Sequence, residues 1–233
     1  YVEEPHKMPR DACRLLWDIP GATAFNETYR DDPAAKGRVA MPCWKESERR
    51  RGYSFKHDAL KFYKQIIIPE AAAEGLRDGD YLIWLDGDVV TTRAITTDWL
   101  QSVLSGADCV YLGREPIHSE IGFWALRIND KARAFLSDLA MTYTTGTFHC
   151  LSEWHSAYVW DHVRKKYDFN ERNLCRPGAR GRRGLACAHA GRAVRPGGPA
   201  VAGGAHALAP RRTGRLGGPE RNSPGPDLGC DAM

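Results

Sequence analysis

Asp86 and Asp88 stand one residue apart at the end of an apolar run, "YLIWLDGDVV" over positions 81–90. Runs of this kind usually end inside a core, and two carboxylates placed there repel one another, raising the pKa of one, unless a cation meets them. Side chains two apart on an extended segment point the same way. Gly87 between them leaves space and lets the backbone turn sharply. Hard oxygen donors of this type suit magnesium or manganese, ions that often complete their shell with substrate phosphates. The alternative is a turn in which both side chains bond only to backbone amides.

The elements that must position this pair alternate in type. Phe55, Ala59, Phe62, Tyr63, Ile66 and Ile67 recur with helical spacing, and Ser54 is the expected cap. Lys56, at the start of that helix, would add to the attraction of its first amides for an anion such as a donor phosphate; solvent exposure is the other reading. "LRDGD" turns the chain into the strand Tyr81 to Leu85, expected to be central in its sheet. "DCVYLG" and "IGFWALRI" read as further strands, and "YVEE" as the end of another. Residues 98–104, 130–143 and 152–166 read as helices, while residues 14–53 show weak periodicity. The mixture predicts an α/β fold, a mixed sheet flanked by helices. Asp86 and Asp88 then lie just past the carboxyl end of a strand, where open α/β sheets commonly bind ligands. Arg114 ends the next strand beside the same pocket, available to an anion or to an ion pair with Asp86 or Glu120.

The run into Asp86 and Asp88 resembles the (apolar)₄DxD signature of glycosyltransferases with the GT-A fold. Around it, "YSFKHDALKFY" (53–63), "YLGR" (111–114), "SEIGFWAL" (119–126) and "SEWHSAYVWDHVR" (152–164) follow in order. Together they resemble a family of bacterial and phage GT-A-like proteins across residues 1–175. The resemblance implies a GT-A-like domain over that range and transfer of a sugar from a nucleotide-sugar donor to a hydroxyl-bearing acceptor. It implies that Asp86 and Asp88 hold Mn2+ or Mg2+ against the donor diphosphate, with Asp88 the more direct ligand. Glu120 would stand on the acceptor side, as general base or as a group that orients a sugar hydroxyl. His155 or Asp161 would give the metal a further ligand, although "HSA" stands here where the family more often has "HDS". "YVEEPH" resembles the family's second strand, so an opening strand and helix are expected upstream and the domain is read as partial.

Other chemistries share parts of the pattern. Haloacid-dehalogenase-like phosphatases also run an apolar strand into DxD, which would make Asp86 a nucleophile. They carry a second acidic pair downstream, whereas Asp130, Asp138 and Asp161 are isolated here. A nucleotide-sugar binder without turnover, or an RNA-binding protein, is the third reading.

The RNA-binding reading rests on the last 58 residues. Residues 176–233 hold ten arginines, no lysine, three acidic residues and no Phe, Trp or Tyr, a net charge of +7 that leaves −3 on residues 1–175. This Gly-, Pro-, Ala- and Arg-rich stretch has too little large apolar surface to offset the entropy of ordering it, so a disordered tail is expected. Weak, non-specific binding to nucleic acid would follow from its charge. Translation of GC-rich DNA in another frame yields the same mixture. No apolar run is long enough to cross a membrane. Seven cysteines without a CxxC pair suggest neither a disulfide framework nor a zinc knuckle, and so a reducing, cytoplasmic setting.

Overall fold

The computed structural model describes residues 15–175. The chain divides into two units, Tyr1–Cys187 and Ala188–Met233, and every described residue belongs to the first. The expected tail and the strand at "YVEE" lie outside the described residues.

In chain order the named elements are α1 (Pro20–Tyr29), α2 (Glu46–Arg51), α3 (Ala59–Ala73), β1 (Tyr81–Leu85), α4 (Thr97–Leu104), β2 (Cys109–Leu112), β3 (Glu120–Arg127), α5 (Asp130–Thr144), α6 (Ser156–Arg164) and β4 (Glu171–Asn173). The strands form one mixed sheet in the order β1-β3-β2-β4. β3 runs antiparallel to both β1 and β2, and β4 runs parallel to β2. The carboxyl ends of β1, β2 and β4 and the amino end of β3 therefore meet at one edge. That topology brings together Asp86 after β1, Arg114 after β2 and Glu120 at the start of β3.

One face of the sheet carries the main core. Tyr111, Trp124 and Leu126 meet Phe25 of α1, Tyr63, Ile66 and Ile67 of α3, Phe135 and Leu139 of α5, and Val159 and Trp160 of α6. The alternation of strand side chains sends Val110 and Ala125 to the other face, where Val103 and Leu104 of α4 and Ala107 cover them. The second cluster does not reach the end of β1, where Ile83 and Leu85 stay 40% and 46% exposed.

Three expectations change. Tyr81–Leu85 is an end strand among the described residues, with β3 as its strand partner, because the chain returns beside it through an antiparallel strand. α3 starts at Ala59, capped by Asp58, whose Oδ1 accepts from the Lys61 amide at 2.9 Å. Ser54 is instead buried, with its hydroxyl on Glu48 Oε1 at 2.6 Å. α6 begins four residues later than the periodicity suggested, with His155 at its cap position. In the region of weak periodicity, α1 starts with Pro20 at its first position, as the fixed φ of proline favours.

Candidate functional site

Asp86 leaves β1 in a turn. Its carbonyl accepts from the Val89 amide at 3.1 Å, and its own amide donates to the Gly122 carbonyl at 2.9 Å. The segment is thus not extended through Asp88, and the same-face argument for the two aspartates does not apply. Gly87 has open space where a Cβ would lie, so sterics do not demand glycine there.

The Asp86 carboxylate is oriented by two neighbours. Its Oδ1 accepts from Trp84 Nε1 at 2.6 Å and from Gln65 Nε2 at 3.2 Å. Its Oδ2 borders a small space beside Gly122. A Cβ built on Gly122 would lie 3.6 Å from that oxygen, 3.5 Å from Glu120 Oε1 and 3.5 Å from Val89 Cγ2. Burial raises the Asp86 pKa first, and the charges of Asp88 and Glu120 raise it further, against the lowering effect of the Trp84 and Gln65 bonds. Glu120 turns its Oε2 to Arg114 Nη1 at 3.0 Å, and its Oε1 accepts from the Gly122 amide at 3.2 Å. Of the three carboxylates, Glu120 takes the Arg114 guanidinium, which is the ion pair that was the alternative to an anion contact.

Lys56 and His155 belong to a second cluster. Lys56 lies in a short 3-10 turn, Phe55–His57, before α3, and its Nζ contacts Glu153 Oε1. The other oxygen, Oε2, meets His155 Nε2 at 2.8 Å and His118 Nε2 at 3.4 Å. Among the described residues, His118, Glu153 and His155 form a group whose ligand atoms all lie within 4.8 Å of one another. Such a set is able to coordinate a metal ion. Asp86 and Asp88 are not members of it, although the sequence reading put all three metal candidates on one ion. Burial alone would raise the Glu153 pKa; the bonds from Lys56 and His155 outweigh it and hold the carboxyl low. Burial holds the His155 pKa low against the bond and charge of Glu153.

The two clusters share supports. Gln65 bridges them: its Nε2 reaches Asp86 while its Oε1 accepts from Ser156 Oγ at 2.5 Å, next to His155. Asp161, buried on α6, accepts from both the amide and the hydroxyl of Ser119, each at 2.8 Å, and pairs with Arg164 at 3.0 Å. It pins the residue between His118 and Glu120 and is fully engaged there, so it is not available as a further ligand. Asp138 is occupied by the Tyr167 hydroxyl at 2.6 Å. Neither supplies the second acidic pair of the phosphatase reading.

Sequence reasoning did not single out Gln65, Trp84, His118, Ser119 or Glu153. Gln65 carried little signal, since it follows Lys64 in a polar pair between Tyr63 and Ile66 of α3, whereas Trp84 stood two positions before Asp86. Trp154 is buried and donates its indole N–H to the Leu151 carbonyl at 3.1 Å.

Cys150 and Cys175 each carry a disulfide bond, whereas Cys43 and Cys109 are free. Bonding depends on approach in space, which wide sequence spacing conceals. Disulfides persist in oxidising compartments, so the cysteines do not support the cytoplasmic expectation. Among the described residues no helix is long and apolar enough to cross a membrane. No protein-family model, curated protein or solved structure matches the chain.

Proposed function

We propose that the chain binds a nucleotide-sugar at the edge where β1, β2 and β3 meet, and transfers its sugar to a hydroxyl acceptor in a Mn2+- or Mg2+-dependent, GT-A-like reaction. The observation that carries this reading is the uncompensated charge around Asp86. Its Oδ1 is fixed by Trp84 and Gln65, its Oδ2 borders the gap at Gly122, and its pKa is raised by burial and by Asp88 and Glu120. Oxygen donors in such a deficit fit a hard divalent cation. Asp86 and Asp88 would hold that cation, which stabilises charge developing on a departing diphosphate. Glu120 Oε1, on the far side of the gap, would orient the acceptor hydroxyl or take its proton. Arg114 holds the other oxygen of Glu120 and so fixes the direction of that lone pair.

The test is nucleotide release from a panel of UDP-, GDP- and CMP-sugars, with and without manganese, using the unmodified chain and Asp88→Asn. Metal-dependent release that is lost in a folded Asp88→Asn protein is expected. Metal-dependent phosphate release from a simple ester, without turnover of any sugar nucleotide, would transfer the site to the phosphatase reading.

A further inference from the structure

We infer that His118, Glu153 and His155 form a second metal site, separate from the aspartates and built for a first-row transition ion of the zinc type. Two imidazoles and one carboxylate are borderline donors that suit zinc over magnesium, and three protein ligands leave a position open. Both imidazoles present Nε2 to the same atom, Glu153 Oε2, at 3.4 and 2.8 Å. A tetrahedral zinc with bonds of about 2.0–2.1 Å places its ligand atoms roughly 3.3 Å apart. The existing spacing is therefore already close to what an ion requires.

The surroundings fix the three ligands independently of an ion. Lys56 occupies Oε1 of Glu153 and leaves Oε2 as a single-oxygen donor. The Arg114 Nε–H donates to the His118 carbonyl at 3.3 Å, and the His118 ring packs edge-on against Tyr158 with centroids 5.1 Å apart. Phe55 and Phe62 flank the His155 ring at 5.8 and 6.0 Å. These aromatic walls restrict how the imidazoles rotate. Such outer contacts orient the ligands of known metal sites.

His155 presents one obstacle, which the structure reduces. Its Nδ1 accepts the Tyr158 amide at 3.4 Å, so the uncharged ring carries its proton on Nε2 and donates it to Glu153. An ion on Nε2 requires that proton on Nδ1, which ends the cap bond. The Tyr158 amide also donates to the His155 carbonyl at 3.1 Å. It stays satisfied when Nδ1 changes from acceptor to donor.

The inference does not depend on the sugar-transfer reading, and its test separates the two. Co2+ would be titrated into the full chain and its visible absorption followed, with Zn2+ then added as competitor. One equivalent giving the intense bands of a four-coordinate ion, displaced by Zn2+, is expected. His118→Ala, at a partly exposed loop position, should weaken Co2+ binding at least about tenfold, while Asp88→Asn should leave it unchanged. On the unmodified chain, Zn2+ should protect His118 and His155 from acylation by diethyl pyrocarbonate, a readout that needs no variant. Absence of saturable Co2+ binding would overturn the site. So would binding lost in Asp88→Asn but kept in His118→Ala, or unprotected histidines at saturating Zn2+.

Discussion

Asp86 and Glu153 are both half-buried carboxylates, each hydrogen-bonded twice or more, yet burial ends differently for them. Glu153 has Lys56 on one oxygen and His155 and His118 on the other, and its pKa falls. Asp86 has only neutral donors, Trp84 and Gln65, with Asp88 and Glu120 as charged neighbours, and its pKa rises. The difference is one of charge balance, not of hydrogen-bond number. A carboxylate oriented by neutral donors while left short of positive charge contributes little to stability and is poised for an incoming cation. One with an ammonium partner is already part of the fold.

The largest expected effect falls on the unbalanced side. Glu120→Gln should lower turnover about 10²–10⁴-fold if Glu120 is the general base, with donor affinity nearly unchanged in calorimetry. A small loss without a change in pH profile would reduce Glu120 to an orienting group and narrow the contrast between the clusters. Next in size is the support common to both. Asp161→Ala removes both bonds to Ser119 and leaves the buried Arg164 with Glu171 alone, so unfolding stability should drop by about 3–5 kcal/mol in urea titration. A drop under about 1 kcal/mol would mean that the clusters are held by other contacts.

The two clusters also predict opposite pH slopes. The raised pKa of Asp86 means that the folded state holds its proton longer than the unfolded state, so stability is lost as pH rises from about 4 through that raised value. Asp86→Asn should therefore be more stable than the parent near neutral pH while losing metal-dependent activity. The lowered pKa of His155 works the other way: stability present above about pH 6.5 is lost as pH falls through the lowered value. His155→Phe should flatten that acid loss. Denaturant midpoints for both variants between about pH 4 and 7 would check the signs, and equal slopes would erase the comparison. The smallest change in stability is expected for Gly122→Ala. The new methyl meets its neighbours at ordinary contact distances, so stability should shift by no more than about 0.5 kcal/mol. It nevertheless fills the gap between Asp86 and Glu120, and cation binding there should weaken.

The legible parts of the molecule were those with periodic side chains. β1, β2, β3, α4 and α5 fall where the alternation and helical spacing put them; β2, β3 and α5 bury their apolar faces as the pattern requires, whereas β1 does so only in part. α1 and α2 were missed, since α1 offers the core mainly Ala22 and Phe25, and α2, "ESERRR", offers it no apolar side chain at all. The place of β1 in the sheet was not legible, because strand order depends on pairing between distant segments. Within the site, Asp86, Arg114 and Glu120 stood out by type, and the mixed sheet brings their strand ends to one edge. His118 and Glu153 did not, since their partner relation joins residues 35 apart and arises only when α6 packs beside the β2–β3 loop. Lys56 was legible as a cation but not as the partner of Glu153, nearly a hundred residues away.

The two hydrogen bonds that Ser119 donates to Asp161 have a consequence for how this surface can vary. Ser119 is fastened to α6 by its own backbone and side chain, immediately before β3 begins. Residues 115–117, between the Arg114 contacts and that fastening, can therefore be lengthened or shortened while the strand register, Arg114 and Glu120 stay in place. Variation in loop length would be absorbed as a change in the outline of the rim, where a bound molecule would be recognised, and the inner carboxylates would keep their spacing. The same scaffold would thus admit new binding preferences by insertion, without rebuilding its centre.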